Sequence, residues 1–257
     1  MSKFELVEYQ VTERVAEITM KREPVNAINM QLASEVNAAY RLARDDREVR
    51  AIVLTSDCEK AFSAGMDLEM IRGGSGLDLR TFLEELYFTM HDLQYRMGKP
   101  TIAAMTGPAR AAGVTLAVSC DILIANEEAD MSYPEINVGL IPAMHFVHLP
   151  KQIGRHKAFE LLFTGNTISY REAAARGLIN KAVPRDQVLA EARTMARELA
   201  KKSPVVMKLA RDSFMRQNDF EYRRAIENVA ETICNIIETD DAQEGLDAFN
   251  EKRPPRW

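Results

Sequence analysis

Hydrophobic residues in this chain change spacing several times, and each change predicts an element. Phe4 to Gln10 and Val15 to Met20 alternate apolar and polar residues, which predicts a hairpin of two strands joined near Thr12-Glu13-Arg14. Leu32, Val36, Tyr40 and Ala43 recur at helical spacing and predict a helix over 30–44. Ala51 to Thr55 reads as a short buried strand. Leu79, Phe82, Leu83, Leu86, Met90, Leu93 and Met97 mark a long helix that stops at Gly98 and Pro100. A strand over 101–106, a helix from about 112 and a strand over 121–125 follow. Such alternation of strand and helix predicts a parallel sheet covered by helices.

From about residue 143 strands become scarce. Helices are expected at 143–152, 155–164 and 169–176, then a strand over Leu178–Val183, then helices at 185–201, 204–217, 219–238 and 240–250. The shift divides the chain into an α/β core over 1–200 and a C-terminal helical region over 201–257, with Ser203-Pro204 at the joint because proline starts a helix well. The last two helices carry apolar stripes, including Tyr222, Ile226, Val229, Ile233 and Ile237. A stripe of this kind must be buried on its own core or on a neighbour.

Composition narrows the classes. The chain has 257 residues, 46% hydrophobic and 28% charged, which is ordinary for a globular protein. A net charge of −5 argues against nucleic acid as the main partner. The 13 methionines are scattered and read as core filler. Cys58, Cys120 and Cys234 form no CxxC pair, so a reducing compartment is expected. No apolar stretch is long enough to span a membrane, and no leader is read at the N-terminus, so the expected location is cytoplasmic. Four histidines without ligand spacing predict no metal site. The lack of a GxGxxG or GxxxxGK[ST] motif predicts no nucleotide cofactor.

The candidate chemistry sits in two small-residue loops and one carboxylate. Ala61-Phe62-Ser63-Ala64-Gly65-Met66-Asp67-Leu68 follows the strand at 51–55, and Ala111-Ala112-Gly113 lies between the strand at 101–105 and an apolar helix. Small residues let backbone N–H groups approach a ligand, and two such loops can aim two N–H groups at one oxygen. Glu135, after Pro134, could move a proton nearby.

In these segments the chain resembles the crotonase superfamily, the enoyl-CoA hydratase/isomerase group. Its hallmarks appear in order: Pro24-Val-Asn26-Ala27-Ile28-Asn29, Phe62-Ser-Ala-Gly65-Met66-Asp67-Leu68, Lys99-Pro-Thr-Ile-Ala, Cys120-Asp121-Ile122, Pro134-Glu135 through Pro142, Phe163-Thr-Gly165, Ala173 through Leu178, Val183-Pro184 and Phe249 through Arg253. The resemblance implies an α/β crotonase (ClpP-like) spiral of ββα units with a C-terminal helical trimerisation region, and a homotrimer or dimer of trimers. It implies that the N–H groups of Met66 and Ala112 form an oxyanion hole for a thioester carbonyl, with Glu135 as catalytic carboxylate. Asn26, Ala27, Ile28, Ala64 and Gly65 would hold coenzyme A, which is part of the substrate rather than a cofactor. Phe249 and Lys252 would reach its phosphates, and Arg22 would stand in for a basic residue the family often carries where this chain has Val25.

Departures from the family pattern bear on the reaction. Hydratases of the group usually carry a second glutamate where this chain has Thr115, and threonine does not exchange protons near neutrality as a carboxylate does. Pro142-Ala143-Met144-His145-Phe146 replaces the usual Pro-Gly-Ala-Gly-Gly, adding bulk beside the acyl pocket. One base and an oxyanion hole suffice to move a double bond, so these departures favour an isomerase over a hydratase. His145 or His148 would be the first candidates for a replacement acid. A thioester hydrolase, or a non-catalytic CoA-binding or RNA-binding relative, is the alternative the fold allows.

Overall fold

The computed structural model describes residues 4–72, 75–218 and 221–256, apart from the side chains of Tyr222, Arg223 and Asn228. The predicted stripe residue Tyr222 therefore lies outside the described side chains. Strands β1 (Val7–Thr12) and β2 (Val15–Met20) pair antiparallel, with Thr12 opposite Val15. The two residues between them, Glu13 and Arg14, both have positive φ, 51° and 66°. That is the tight mirror-image turn whose twist suits a hairpin, built here without glycine or asparagine.

The sheet then runs parallel. Strands β3 (Ala51–Ser56), β4 (Thr101–Met105), β6 (Ile122–Asn126) and β9 (Lys181–Val183) extend it in the order β1-β2-β3-β4-β6-β9. Strands β3 and β4 are buried at every position, so they lack the two-residue alternation of a half-exposed strand. Helix α1 (Met30–Asp45) covers one face, with Leu32, Val36, Tyr40 and Ala43 buried as their spacing required. Its N-cap is Asn29, whose side chain accepts the Leu32 N–H at 2.9 Å.

The long helix expected over 79–97 starts earlier and is interrupted. Ser75 and Asp78 form a reciprocal cap on α2 (Gly76–Leu83); Glu84–Thr89 winds as π-helix, and α3 (Met90–Tyr95) completes the run. The buried Asn37 of α1 donates to the Glu85 carbonyl at 2.9 Å within the wider turn.

A second sheet had no counterpart in the expected elements. Strand β5 (Ala109–Arg110) pairs parallel with β7 (Asp130–Ser132), which pairs antiparallel with β8 (Thr167–Ser169). Helix α4 (Ala112–Val118) leaves this sheet directly after β5. A 3₁₀ turn, Pro134–Val138, follows β7, and α5 (Ala143–Ile153), α6 (Arg155–Thr164) and α7 (Tyr170–Ala175) complete this half.

Helix α8 (Val188–Ala200) packs on the other face of the parallel sheet through Val188, Ala192 and Ala196. Helix α9 begins at Pro204 and runs to Asn218; Arg211 anchors it with two bonds to Asp121 at 2.9 and 3.0 Å. The apolar stripe of α10 (Tyr222–Ile236) and α11 (Asp240–Asn250) is buried within the chain. Ile226, Ile233, Ile237 and Leu246 join the same core as α1, α2 and α5. The exposed apolar face lies instead on α9, at Val205, Val206, Leu209 and Phe214.

Candidate active site

The first loop is fixed from both sides. On one side Ile28 N–H donates to Gly65 O at 2.7 Å and Ile28 O accepts from Asp67 N–H at 3.0 Å. This pairing brackets Met66 and turns the Met66 N–H away from it. On the other side Ser63 N–H donates to Pro108 O and Ser63 O accepts from Arg110 N–H at 3.0 Å. Gly65 sits at φ 91°, and a Cβ there would come within 2.8 Å of Arg110 O. Only glycine fits both the conformation and the space.

Asn26 holds this loop from within rather than facing outward. Its side chain is fully buried, donating to Ser56 Oγ at 2.8 Å and Phe62 O at 3.1 Å and accepting from Arg22 N–H at 2.7 Å. Ile28 is likewise fully buried, whereas Ala64 is exposed and Ala27 half-buried. Arg22 joins the two segments, donating to Ala27 O and to Asp67 Oδ2, each at 2.7 Å.

The second loop carries local strain. Ala111 has φ 47° and ψ −120° immediately before α4, a region that suits glycine. Its N–H donates to Ser132 O at 3.0 Å, tying the start of α4 to β7. Among the described residues, neither the Met66 nor the Ala112 N–H donates to a backbone acceptor. Ala111→Gly should raise stability by about 1 kcal/mol. Relief of strain worth about 1–3 kcal/mol outweighs about 0.4–1 kcal/mol of added unfolded-chain entropy. A thermal melt no higher than that of the native chain would show that the conformation is not strained.

Glu135 lies on the 3₁₀ turn that β7 delivers. Its Oε2 is buried without a hydrogen-bond partner among the described residues, and burial pushes the carboxyl up from 4.5 to about 8. Tyr133, two residues earlier, is fully buried, and its hydroxyl also lacks a partner. Burial and the nearby Glu135 charge hold that phenol protonated. The turn is braced by α11: a Cβ on Gly245 would lie 2.6 Å from the Val138 carbonyl. Phe249 and Lys252 are exposed at the far end of α11.

Thr115 is buried one turn into α4, with its hydroxyl 3.3 Å from His145 Nε2. The same nitrogen lies 3.3 Å from Ala111 O, and the Tyr133 ring meets the His145 ring edge-on at 4.4 Å. Burial and the neighbouring His148 keep His145 neutral. Sequence reasoning named Thr115, His145 and His148, but missed Tyr133 and the bracing Gly245. Tyr133 could have been flagged by its place two residues before Glu135; Gly245 gives no signal before the fold is known. Among the described residues no group of His, Cys, Asp and Glu could hold a metal ion.

Two small-residue loops, one buried carboxyl and this topology define a class of protein. A family model described as enoyl-CoA hydratase/isomerase matches residues 10–257. The chain is 36% identical over 246 residues to a probable mitochondrial enoyl-CoA hydratase of Dictyostelium discoideum, covering 95% of this chain and 87% of that one. It is 37% identical over 238 residues to a putative enoyl-CoA hydratase of Thermus thermophilus, covering 88% and 91%. The crystal structure of an enoyl-CoA hydratase/isomerase from Xanthobacter autotrophicus Py2 superposes with a TM-score of 0.88 at 28% identity, covering 97% and 94%. The chain belongs to the enoyl-CoA hydratase/isomerase family and has the crotonase fold. Among the described residues no helix is long and apolar enough to cross a membrane.

Proposed function

We propose that this chain catalyses cofactor-free proton transfer on an enoyl-CoA thioester, with Glu135 as its single carboxylate base. The observation that carries this reading is the Glu135 carboxyl: buried, partnerless at Oε2 and raised to about 8. A base poised near the working pH suits abstraction of a proton next to a carbonyl. Met66 and Ala112 N–H would stabilise the enolate that forms when the α- or γ-proton leaves. The exposed Ala64 and the Asn26–Asn29 loop would receive the coenzyme A portion through their backbone, and Phe249 and Lys252 its phosphates. The homotrimer implied by the resemblance would be completed through α9, whose apolar face its own chain leaves exposed.

Thr115 decides between the two reactions of the family. It offers one hydroxyl, in contact with His145, where a second carboxylate would orient and deprotonate a water. Double-bond migration in 3-hexenoyl-CoA should therefore outrun hydration of crotonyl-CoA. Assaying both, together with thiol release from saturated acyl-CoAs, checks this. Fast hydration with no migration would replace the isomerase reading by a hydratase, and thiol release alone would replace it by a hydrolase.

A further inference from the structure

Helix α5 places His145, His148 and Gln152 on one face, at spacings of three and four residues, and Thr115 of α4 meets the first of them. The contacts form a continuous file. Thr115 Oγ1 is 3.3 Å from His145 Nε2, His145 Nδ1 is 2.8 Å from His148 Nε2, and His148 Nδ1 is 3.2 Å from Gln152 Oε1. The file begins at a residue 1% exposed and ends at one that is exposed. His148 and Gln152 line a cavity of about 570 Å³ between α3, α4 and α9, walled also by Cys120, Arg211 and Phe214.

Counting protons makes this file unusual. His145 Nε2 facing Ala111 O, the contact between the rings, and His148 Nδ1 facing Gln152 Oε1 need three ring protons to be satisfied together. Two neutral imidazoles carry two. Burial holds both rings neutral, His148 down at about 4, so the third proton is not resident. The file therefore has two balanced arrangements. In one, Thr115 donates to His145, His145 Nδ1–H to His148, and His148 Nδ1–H to the Gln152 carbonyl. In the other, every bond points the opposite way: His145 Nε2–H serves Ala111 O and Thr115, His148 Nε2–H serves His145, and the turned Gln152 amide serves His148.

We propose that Thr115, His145, His148 and Gln152 form a proton path between the buried face of α4 and the cavity beside α9. Passage through it exchanges the two arrangements. A proton from cavity water arrives on His148 Nδ1, the His148 Nε2 proton moves to His145 Nδ1, and the His145 Nε2 proton moves to Thr115 Oγ1. Thr115 then releases its own proton toward the substrate carbon. Each atom that gains a proton passes one on and no electrons are exchanged; the proton that Glu135 took from the substrate then returns to the cavity along the same file in the opposite sense, which restores the starting arrangement and the water. The path thus takes over proton exchange at the position where a second carboxylate is missing. This inference rests on the enoyl-CoA reading above.

The test uses His148, which meets Thr115 only through His145 and borders the cavity. His148→Gln keeps an amide in hydrogen-bond reach of His145 but cannot pass a proton. It should lower kcat on 3-hexenoyl-CoA by about tenfold or more with little change in KM, and lower deuterium incorporation from D₂O at the γ-carbon of the product, where the new C–H bond forms, in parallel. His148→Ala should behave alike and regain activity with added imidazole, which the cavity can admit; a merely structural histidine would not be rescued this way. If His148→Gln matches the native enzyme in kcat and deuterium incorporation, or if folded His148→Ala is slow and imidazole restores nothing, the path is wrong. A native enzyme inactive on both 3-hexenoyl-CoA and crotonyl-CoA, and not stabilised by coenzyme A, would overturn the enoyl-CoA reading and the path with it. An active native enzyme with an unimpaired variant overturns the path alone.

Discussion

Glu135→Gln should cut turnover by about 10² to 10⁴ and, at the same time, make the protein more stable at alkaline pH. Both effects come from one buried oxygen. Glu135 Oε2 has no hydrogen-bond partner among the described residues, and burial raises the carboxyl from 4.5 to about 8. A raised carboxyl binds its proton more tightly in the folded chain than in the unfolded one. Stability is then fully present below about 4.5 and falls as pH rises toward about 8. The loss is complete above that value and reaches at most about 5 kcal/mol. Glutamine has no proton to lose, so the melting curves of variant and native chain should meet near pH 4 and separate near pH 9, the variant being higher. On the proposed mechanism the same ionisation generates the base, so native kcat/KM should climb with pH toward a plateau beginning near 8. A variant that turns over enoyl-CoA like the native enzyme removes Glu135 from the chemistry. Melting curves that stay parallel across this range remove the raised carboxyl.

The contrast between stability and activity at this position reflects how the site is made. The carboxyl is carried on a turn whose position depends on β7 before it and α11 behind it, neither of which exists for its own stability alone. Strand β7 has three residues and β5 two, each too short to display an apolar period. They form because the loops at 62–67 and 108–110 already hold one another, as the Ser63–Ala109 pairing shows. That is why the parallel strands could be placed from the sequence while the second sheet could not. The hairpin was visible in the alternation of Val15 to Met20, yet its turn residues, Glu13 and Arg14, carry none of the usual composition. The interruption of the long α2–α3 run was not visible because the π-helical turn is met by Asn37 from another helix, which bonds the Glu85 carbonyl. The C-terminal stripe was visible as a stripe, but its burial against α2 and α5 depends on packing across the whole chain. The motif residues were legible for a different reason. Gly65 and Gly113 are constrained by close approach of another backbone segment, and such constraints act on residue type at fixed positions. What surrounds them, such as the Tyr133 hydroxyl and the file of histidines, is set by side-chain direction and emerges only with the fold.

Gly113→Ala should reduce turnover by about 10² to 10³. Gly113 lies in the first turn of α4, directly after Ala112, and faces the first loop. A Cβ there would fall 2.7 Å from both Ser63 Cβ and Ser63 O, and 2.9 Å from Ser63 Oγ. The loop cannot retreat, because Ser63 is bonded through its backbone to Pro108 and Arg110 and through its hydroxyl to Asn26 O at 2.7 Å and Gly65 N–H at 3.2 Å. The start of α4 must move instead, carrying the Ala112 N–H away from the place that the proposed oxyanion hole requires of it. Overpacking of this kind costs about 1–3 kcal/mol, so the variant should fold and melt several degrees lower. On the proposed mechanism the kinetic signature is a fall in kcat with KM nearly unchanged, since a donor to the developing oxyanion would be lost while the coenzyme A contacts would survive. Adding Ser63→Gly removes two of the three clashing atoms but leaves the carbonyl at 2.7 Å, and it deletes the hydroxyl that bridges Asn26 and Gly65. The double variant should therefore stay as slow as the single one. Native turnover in Gly113→Ala, at whatever melting temperature, would mean that the close approach of the two loops serves packing alone and that Ala112 N–H is no part of the reaction.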